Sequence, residues 1–509
     1  MATEPPPRAA RALAGLAFLL IPALLVSMDL SILFVAAPAI AEDLAPTATQ
    51  WLWMLDVYGF VLAGLLVAMG SLGDRIGRRR LLLAGAALFG AASALLALAD
   101  SAGWFIAGRV LLGAAGATLA PSTLSLIRSL FADPRQRATA VGAWTVAFTG
   151  GSVLGPVLGG ALLEFFPWNS VFLVNLPFMA LLLAGAPFLI PESRDPRPGG
   201  FDLLGAATSL AAVLGLVNAV KRFAEHGADP YAAASLAAGA LFLVLFVVRQ
   251  RRSAHPLIDV DLFARPTFAA AVGGNTAVSF AAAGMGALTF TFLQTVHGLS
   301  PLVAALSSLP VFVGTLLGAV LAGTLAHRVR PGFLMAGGLA TGAAGFGTVA
   351  TLEADTSLWV LIAGYTVITL GVGVVATLAN TLVLASAPPE RAGAAAGISE
   401  TSTEFGAALG IAVLGTAAAG VYRDAMLAGG ATGPAAETVA AAVAGAPAAP
   451  DPGALLELAF AAQTSGFTTA ALTGAAVLAA VSAVVAVALR RLPPGTGEPA
   501  PGERAQETV

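Results

Sequence analysis

Apolar runs of membrane-crossing length recur along the chain, separated by short polar, proline-containing or arginine-containing breaks. A helix needs about 20 predominantly apolar residues to cross the hydrocarbon core of a bilayer. The pattern predicts fourteen such helices, over 13–38, 51–72, 80–99, 104–130, 138–162, 169–190, 203–222, 231–249, 267–294, 301–326, 332–352, 357–384, 392–421 and 463–489. An even number puts both termini on one side, and the lysines and arginines decide which side. With the N-terminus inside, 21 of the 25 basic residues lie inside; Lys221, Arg222 and Arg423 lie outside and Arg109 lies within a span. So lopsided a split supports the span count and a cytoplasmic placement of both ends. The opening MATEPPPRAARALAG runs into the first apolar stretch without a small-residue cleavage site, which predicts an uncleaved first span behind a cytoplasmic segment 1–12.

Composition narrows the class. Of 509 residues, 58% are hydrophobic and only 10% charged, with a mean hydropathy of +0.87; soluble domains carry about 25% charged residues. The expected fold class is therefore an all-α polytopic membrane protein. Abundant alanine and glycine suit close packing of membrane helices. The absence of cysteine excludes disulfide and thiol chemistry. The net charge of -3 adds little, because the distribution of charge matters more.

An internal repeat organises the spans. Gly70-Ser-Leu-Gly-Asp-Arg75 aligns with Gly323-Thr-Leu-Ala-His-Arg328 at an offset of 253, and Gly151, Gly155 and Gly160 fall on Gly406, Gly410 and Gly415 at an offset of 255. The chain thus reads as two six-helix halves, 13–190 and 267–489, with helices 7 and 8 inserted at 203–249. Parallel halves with a site at their interface are a transporter architecture. Within the second half, 422–462 is an Ala/Gly/Pro-rich outer loop. Glu437–Ala446 and Ala454–Ala462 can each form a short helix there, giving an external hairpin; a linker without structure is the other reading. Residues 490–509 are expected to be a disordered cytoplasmic tail.

Charge inside a span costs several kcal/mol and points to function. Five residues qualify: Asp29, Asp56, Arg109, Glu400 and Glu404. Burial in low dielectric disfavours the charged form of a carboxyl group, so Asp29 near mid-depth and Asp56 near the outer end are candidate reversible proton sites. A structural hydrogen bond for Asp29 and a solvated vestibule acid for Asp56 are the alternatives. Arg109 cannot be neutralised and needs an acid or carbonyls; Asp29 and Asp56 are the nearest acids by depth. Glu400 and Glu404 share one helix face at i,i+4. They repel unless one is protonated or a cation lies between them, so a lipophilic cation suits that face; a solvated edge is the alternative. Trp51, Trp53 and Tyr58 flank Asp56. An interfacial belt explains Trp51, whereas Trp53 and Tyr58 suit a cation-binding cavity. Gly151, Gly155, Gly159 and Gly160 make a flat helix face, kinked at Pro156. Gly70–Arg80 is a glycine-rich turn crowded with arginines. No nucleotide-binding loop, metal cluster or catalytic triad is present, and the four histidines are scattered. An enzyme, an ATP-driven pump, a metal site and a bound cofactor are therefore not expected.

These residues resemble the major facilitator superfamily, and within it the fourteen-span drug:proton antiporters of the quaternary-ammonium-exporter type. Gly70–Arg80 is similar to the superfamily's turn between helices 2 and 3, Phe105–Gly116 with Arg109 to its helix-4 motif, and Gly151–Gly160 to the helix-5 antiporter motif. MDLSILFVAAP at 28–38 and WLWMLDVYGF at 51–60 resemble the helix-1 and helix-2 signatures of the fourteen-span branch. The resemblance covers essentially the whole chain. It implies a secondary transporter in the bacterial plasma membrane, acting as a monomer without a cofactor or nucleic-acid partner. Protons, lipophilic cations and the lipid bilayer would be its partners.

By the same resemblance Asp29, Asp56 and Arg109 carry proton coupling. Asp56, Glu400, Glu404, Trp53 and Tyr58 bind substrate, and Gly70, Asp74, Arg75, Gly77 and Arg78 form an inner gate. Asp74 would face the N-terminus of helix 11, where the helix dipole favours an acid. Two departures matter. Val313–Leu317 offers only Thr315 where some relatives carry an extra acid, which weakens any claim to divalent cations. His327 replaces Asp74 in the second copy of the turn. An exporter of one antibiotic or natural product would use the same motifs.

Overall fold

The computed structural model describes residues 7–131, 133–194, 202–226, 229–253, 256–258, 260–353, 356–386 and 392–493. Fourteen of its helical segments are long and apolar enough to cross a membrane. The first five are α1 (Pro7–Leu44), α2 (Ala48–Ile76), α3 (Arg78–Ala97), α4 (Ala102–Leu130) and α5 (Pro134–Phe165). The sixth span is divided into α6 (Ser170–Leu173) and α7 (Asn175–Leu189). Then come α8 (Leu203–His226), α9 (Pro230–Arg252) and α10 (Pro266–Thr295). The tenth span is divided into α11 (Pro301–Ser307) and α12 (Leu309–Leu325), and α13 (Pro331–Val349), α14 (Leu358–Ser386) and α15 (Ala392–Ala428) follow. Two short helices, α16 (Pro434–Glu437) and α17 (Val439–Gly445), precede the last span, α18 (Pro452–Ala488).

Local chemistry sets these boundaries. Asp133, Asp229, Ser300 and Asp451 each accept a backbone N–H from the first turn of the helix they precede, with proline just inside. Thr47 and Gln50 close a reciprocal capping box at the start of α2. The two divided spans share one cause. Pro177 and Pro310 have no N–H to give to Leu173 and Leu306, four residues back, so each run is re-started.

The loop expected at 422–462 is folded. Tyr422 donates to the Ala435 carbonyl at 2.9 Å, and a small apolar cluster of Tyr422, Met426, Val439 and Ala459 holds α16 and α17 against the ends of α15 and α18. The stretch 454–462, predicted as one arm of a hairpin, instead forms the first turns of α18. Its apolar periodicity continues into 463–489 with no breaker between them. The tail beyond residue 493 lies outside the described residues.

Two buried apolar clusters organise the bundle. One is built mainly on α1–α7 and includes Phe89, Phe105 and Phe172; the other is built mainly on α10–α18 and includes Phe268, Phe292 and Phe467. The glycine repeat shows in the packing. A Cβ on Gly151 or Gly155 would lie 2.3 Å from the Leu24 oxygen or 2.8 Å from the Met28 oxygen, so α5 meets α1 backbone to backbone. Gly406 and Gly410 put α15 on α10 in the same way, against the Thr276 and Phe280 oxygens. The third glycine of each set crosses to the other half, Gly160 onto Pro301 and Leu302, Gly415 onto Leu52.

These cross-contacts cluster at one end of the bundle. Call the end where α1 begins near and the opposite end far. Gly160, Leu302, Leu52 and Gly415 lie toward the far end, as does the bond from Gln294 to the Val35 carbonyl at 2.9 Å. The two halves are thus closed on each other there, beneath α17. The inserted α8 lies along the seam: Val217 packs with Phe60 of α2 and with Ala408 and Ala412 of α15, while Leu210 covers Gly64. Its partner α9 joins through a glycine contact, Gly215 on Gly239, and a bond from Asn218 to Ser235 at 2.9 Å.

Candidate functional site

The site begins with what α5 does to α1. The glycine face lets the two backbones touch, and Ser27 bonds Ser152 at 2.6 Å. Asp29 is on the opposite side of α1 from this seam and meets α4. Arg109 donates through Nη1 to its Oδ2 at 2.6 Å, with both side chains fully buried. The guanidinium also lies over the Tyr58 ring, 4.5 Å from its centroid. Asp29 Oδ1 and Arg109 Nε and Nη2 have no hydrogen-bond partner. A buried ion pair is held firmly only when good geometry and further bonds offset desolvation. This one rests on a single bond and an aromatic face.

A second pair lies on α2. Asp56 Oδ1 accepts from Lys221 Nζ at 2.8 Å, again with both side chains fully buried. The ammonium stands over the Trp53 ring at 3.8 Å from its centroid. Asp56 Oδ2 has no partner. The hydropathy pattern ends the seventh span at 222 and so sends Lys221 outside. The structure carries α8 on to His226 and turns Lys221 inward onto Asp56, whose carboxylate satisfies the buried ammonium. A signal was available: Lys221 is the only lysine among the 25 basic residues. It also continues the 210, 213, 217, 221 stripe by which α8 faces α2.

Of the three aromatic residues flanking Asp56, Trp53 and Tyr58 therefore each carry a cation of the protein itself. Trp51 sits at the start of α2 beside a far-end cavity lined by Leu55, Gly415, Tyr422 and Val439, which Asp56 does not enter. Glu404, on α15, is buried at 3% exposure with Oε2 unpartnered; Glu400, a turn earlier, is half-buried. Phe405, next to Glu404, packs edge-on against Phe60 of α2 with ring centroids 6.4 Å apart, so this acid sits where the halves meet. Asn275 of α10 steadies the same stretch, donating to Ser402 at 2.9 Å and Thr403 at 2.8 Å. Among the described residues no hydrogen bond or ion pair joins Glu400 or Glu404 to the two pairs.

The glycine-rich turn is a separate unit at the near end. Asp74 accepts from Arg78 Nε at 2.8 Å. Gly77 has φ +111°, and a Cβ there would lie 2.7 Å from the Glu192 carboxylate carbon. Glu192 in turn accepts the Arg79 N–H at 2.9 Å, and Arg79 donates to the Pro187 and Ile190 carbonyls. Sequence reasoning missed Glu192, which follows a proline in a loop and has no pattern around it. Gly70 approaches Pro121 of α4, and Arg75 is exposed. The start of α13 is covered by Leu489 of α18, and Asp74 bonds within its own turn. Among the described residues no group of His, Cys, Asp and Glu is placed to hold a metal.

The buried acid–cation pairs, the doubled glycine seam and the fourteen spans suit a transporter rather than an enzyme, and known proteins agree. The "Multidrug efflux pump LfrA" of Mycolicibacterium smegmatis is 46% identical over 394 residues, 77% of this chain and 78% of that one. The "Methyl viologen resistance protein SmvA" of Salmonella typhimurium is 35% identical over 74% of this chain and 76% of its own. The "Tetracenomycin C resistance and export protein" of Streptomyces glaucescens is 32% identical over 75% and 71%. In solved structures, a bacterial homologue of the lysosomal transporter Spinster, inward-facing and unoccupied, superposes with a TM-score of 0.63 at 20% identity, over 96% of this chain and 98% of that one. Residues 19–411 match the family as a whole. The chain is a multi-pass secondary transporter of the bacterial inner membrane, and it belongs to the Major Facilitator Superfamily.

Proposed function

We propose that the chain exports lipophilic, mainly cationic drugs in exchange for protons. The observation that carries this reading is the pair of buried ion pairs, Asp29–Arg109 and Asp56–Lys221, each with one carboxylate oxygen free of partners. A carboxylate held by one cation in low dielectric can exchange that cation for a proton or a substrate without a large rearrangement. Drug export itself is the activity named for relatives at 32–46% identity.

With the near end cytoplasmic, closure at the far end blocks the outer path in this structure. A drug cation enters from the cytoplasm and is drawn to the acids, Asp56 with Trp53 and Tyr58 on one side and Glu400 and Glu404 on the other. The halves rock, and the far end opens. Protons reach Asp29 and Asp56, the drug loses its counter-charge, and it leaves. Arg109 tracks the state of Asp29: protonating the acid removes the charge that holds the guanidinium. A ligand shifts such an equilibrium only by its differential affinity for the two states, and shared acids supply that difference. Gly70, Asp74, Arg75, Gly77 and Arg78 form the inner gate. In the outward state Asp74 turns to the second half. The helix-5 residues Gly151, Gly155, Pro156 and Gly159 keep α1 in register while the halves move, and Gly160 seats α5 on Pro301 and Leu302 of the second half.

A narrower reading, export of a single antibiotic or natural product, draws on the tetracenomycin relative. One experiment tests both. Cells expressing the protein are loaded with a panel of mono- and dicationic dyes and neutral antibiotics, and efflux is followed before and after an uncoupler. Uncoupler-sensitive efflux of several cations is expected. Efflux of one neutral compound alone supports the narrow reading, and efflux indifferent to the uncoupler contradicts proton coupling.

A further inference from the structure

The pair on Asp56 differs from the one on Asp29 in where its cation comes from. Its cation comes from the inserted helices. Lys221 is on α8, its Nζ is 2.8 Å from Asp56 Oδ1 and 3.8 Å from the centre of the Trp53 ring, and its side chain is fully buried. An acid with an aromatic face beside it is the arrangement that binds an organic cation. In this structure that arrangement is already filled. Every other basic residue of the chain is an arginine. A guanidinium is planar and cannot be neutralised, whereas an ammonium is a compact charge on a flexible stem that can withdraw or lose its proton. The single lysine is thus placed where a cation must come and go.

The rest of α8 suits this role. Val217, one turn before Lys221, shares one buried apolar cluster with Phe60 of α2 and Ala408 and Ala412 of α15, so the helix bearing the ammonium lies across both halves at the seam. The second ion pair, Asp29–Arg109, is on α1 and α4 and does not involve α8. Tyr58 and Glu404 are the other titratable groups near this seam, and neither bonds Lys221.

We propose that Lys221 is a built-in counter-cation that occupies the Asp56–Trp53 site in the resting protein, and that a cationic substrate must displace it. On this view the inserted pair is part of the binding site and sets which cations are accepted. Compounds that bring both a charge and enough apolar surface replace the ammonium; small hydrated cations do not. The inference rests on the reading of Asp56 as a substrate-cation site.

A resident competitor lowers apparent affinity by the fraction of sites it leaves free. Removing it raises affinity by the same factor. The test is equilibrium binding of tetraphenylphosphonium, a permanent lipophilic monocation, to the purified full chain and to Lys221→Met, Lys221→Arg, Asp56→Asn and the Asp56→Asn/Lys221→Met double variant. Lys221→Met is expected to bind about tenfold more tightly or better, Lys221→Arg to bind more weakly than wild type because a guanidinium cannot lose its proton, and Asp56→Asn to bind more weakly. In the Asp56→Asn background, Lys221→Met is expected to give no gain. If Lys221→Met binds no better while Asp56→Asn binds more weakly, the displacement idea is overturned and the role of Asp56 stands. If Asp56→Asn also leaves binding unchanged, the reading of Asp56 fails, and the inference with it.

Should Lys221→Met not fold, the wild-type protein decides. Labelled with 15N-lysine it carries one side-chain nitrogen signal, because it has one lysine. Saturating tetraphenylphosphonium is expected to move that signal toward the position it takes in Asp56→Asn. A signal that stays in place at saturation overturns the proposal.

Discussion

At the residue scale, the proposed exchange rests on two acids with different partners. Asp29 is held by an arginine, a cation that cannot titrate away; Asp56 is held by the chain's one lysine. This separates their proposed roles. Asp29 suits the proton and Asp56 the substrate charge, so Asp56→Asn is expected to weaken export of cationic compounds far more than of neutral ones. An opposite charge about 4 Å away is worth up to about 4 kcal/mol at an effective dielectric of about 20, so the loss for monocations should be about tenfold or more, read as the change in half-maximal efflux concentration across a matched pair of dyes. Equal losses for neutral and cationic compounds would remove Asp56 from substrate binding. Asp29, Asp56 and Arg109 were legible in the sequence because a charge in an apolar run is costly and stands out. Their pairing was not: depth left either acid open to Arg109. Lys221 was hidden because the apolar run ends beside it, and an end-of-helix lysine normally snorkels to water.

At the element scale, the glycine seams fix where the acids point. Gly155 is where α5 comes closest to the acid-bearing turn of α1, and a Cβ there would lie 2.2 Å from Ser31 Oγ. Gly155→Val is expected to push α1 off α5 and cost about 1–3 kcal/mol, the usual size of overpacking. It should appear as a lower melting temperature together with loss of efflux. Wild-type stability would mean the seam is looser than this packing.

The inserted pair has its own fastening outside the membrane. Asp202 accepts from the Gly205 N–H at 2.8 Å, Arg249 at 2.5 Å and Gln250 at 3.1 Å, tying the start of α8 to the end of α9. Burial works to raise its pKa, but these bonds outweigh burial and hold it below the usual 3.8. A carboxyl lowered on folding adds stability above its unfolded pKa and loses it as pH falls through the folded one. Asp202→Asn keeps the helix cap but loses the charge facing Arg249, and is therefore expected to lower the melting temperature at neutral pH by the equivalent of about 1 kcal/mol or less, as for a partly exposed ion pair. The gap from wild type should narrow as the pH is taken below 3.8. A gap that widens on acidification would contradict this linkage. The element boundaries were mostly legible, since proline, aspartate and serine mark them. The fold of 422–462 was not, because alanine-rich sequence suits helix and linker alike until a tertiary contact, here Tyr422 on Ala435, decides.

At the scale of the whole molecule, two pseudo-equivalent halves meet at the far end, and α8 crosses their seam. The halves are not chemically equal. The first carries Asp29, Asp56 and Arg109, whereas the second brings Glu400 and Glu404 and has His327 where the first has Asp74. Rocking of the halves would therefore carry drug between unlike surfaces while the proton acids stay on one of them. The repeat made the two-half plan legible from sequence. The state of closure was not, because the same glycines serve both ends of the cycle. The central claim is that drug and proton exchange through Asp29, and the direct measurement is proton release in liposomes containing the purified protein and a pH-sensitive dye. Adding a lipophilic cation under a fixed proton gradient is expected to trigger proton movement in the wild type and none in Asp29→Asn, with both proteins equally folded. Proton movement at the wild-type rate in Asp29→Asn would contradict it.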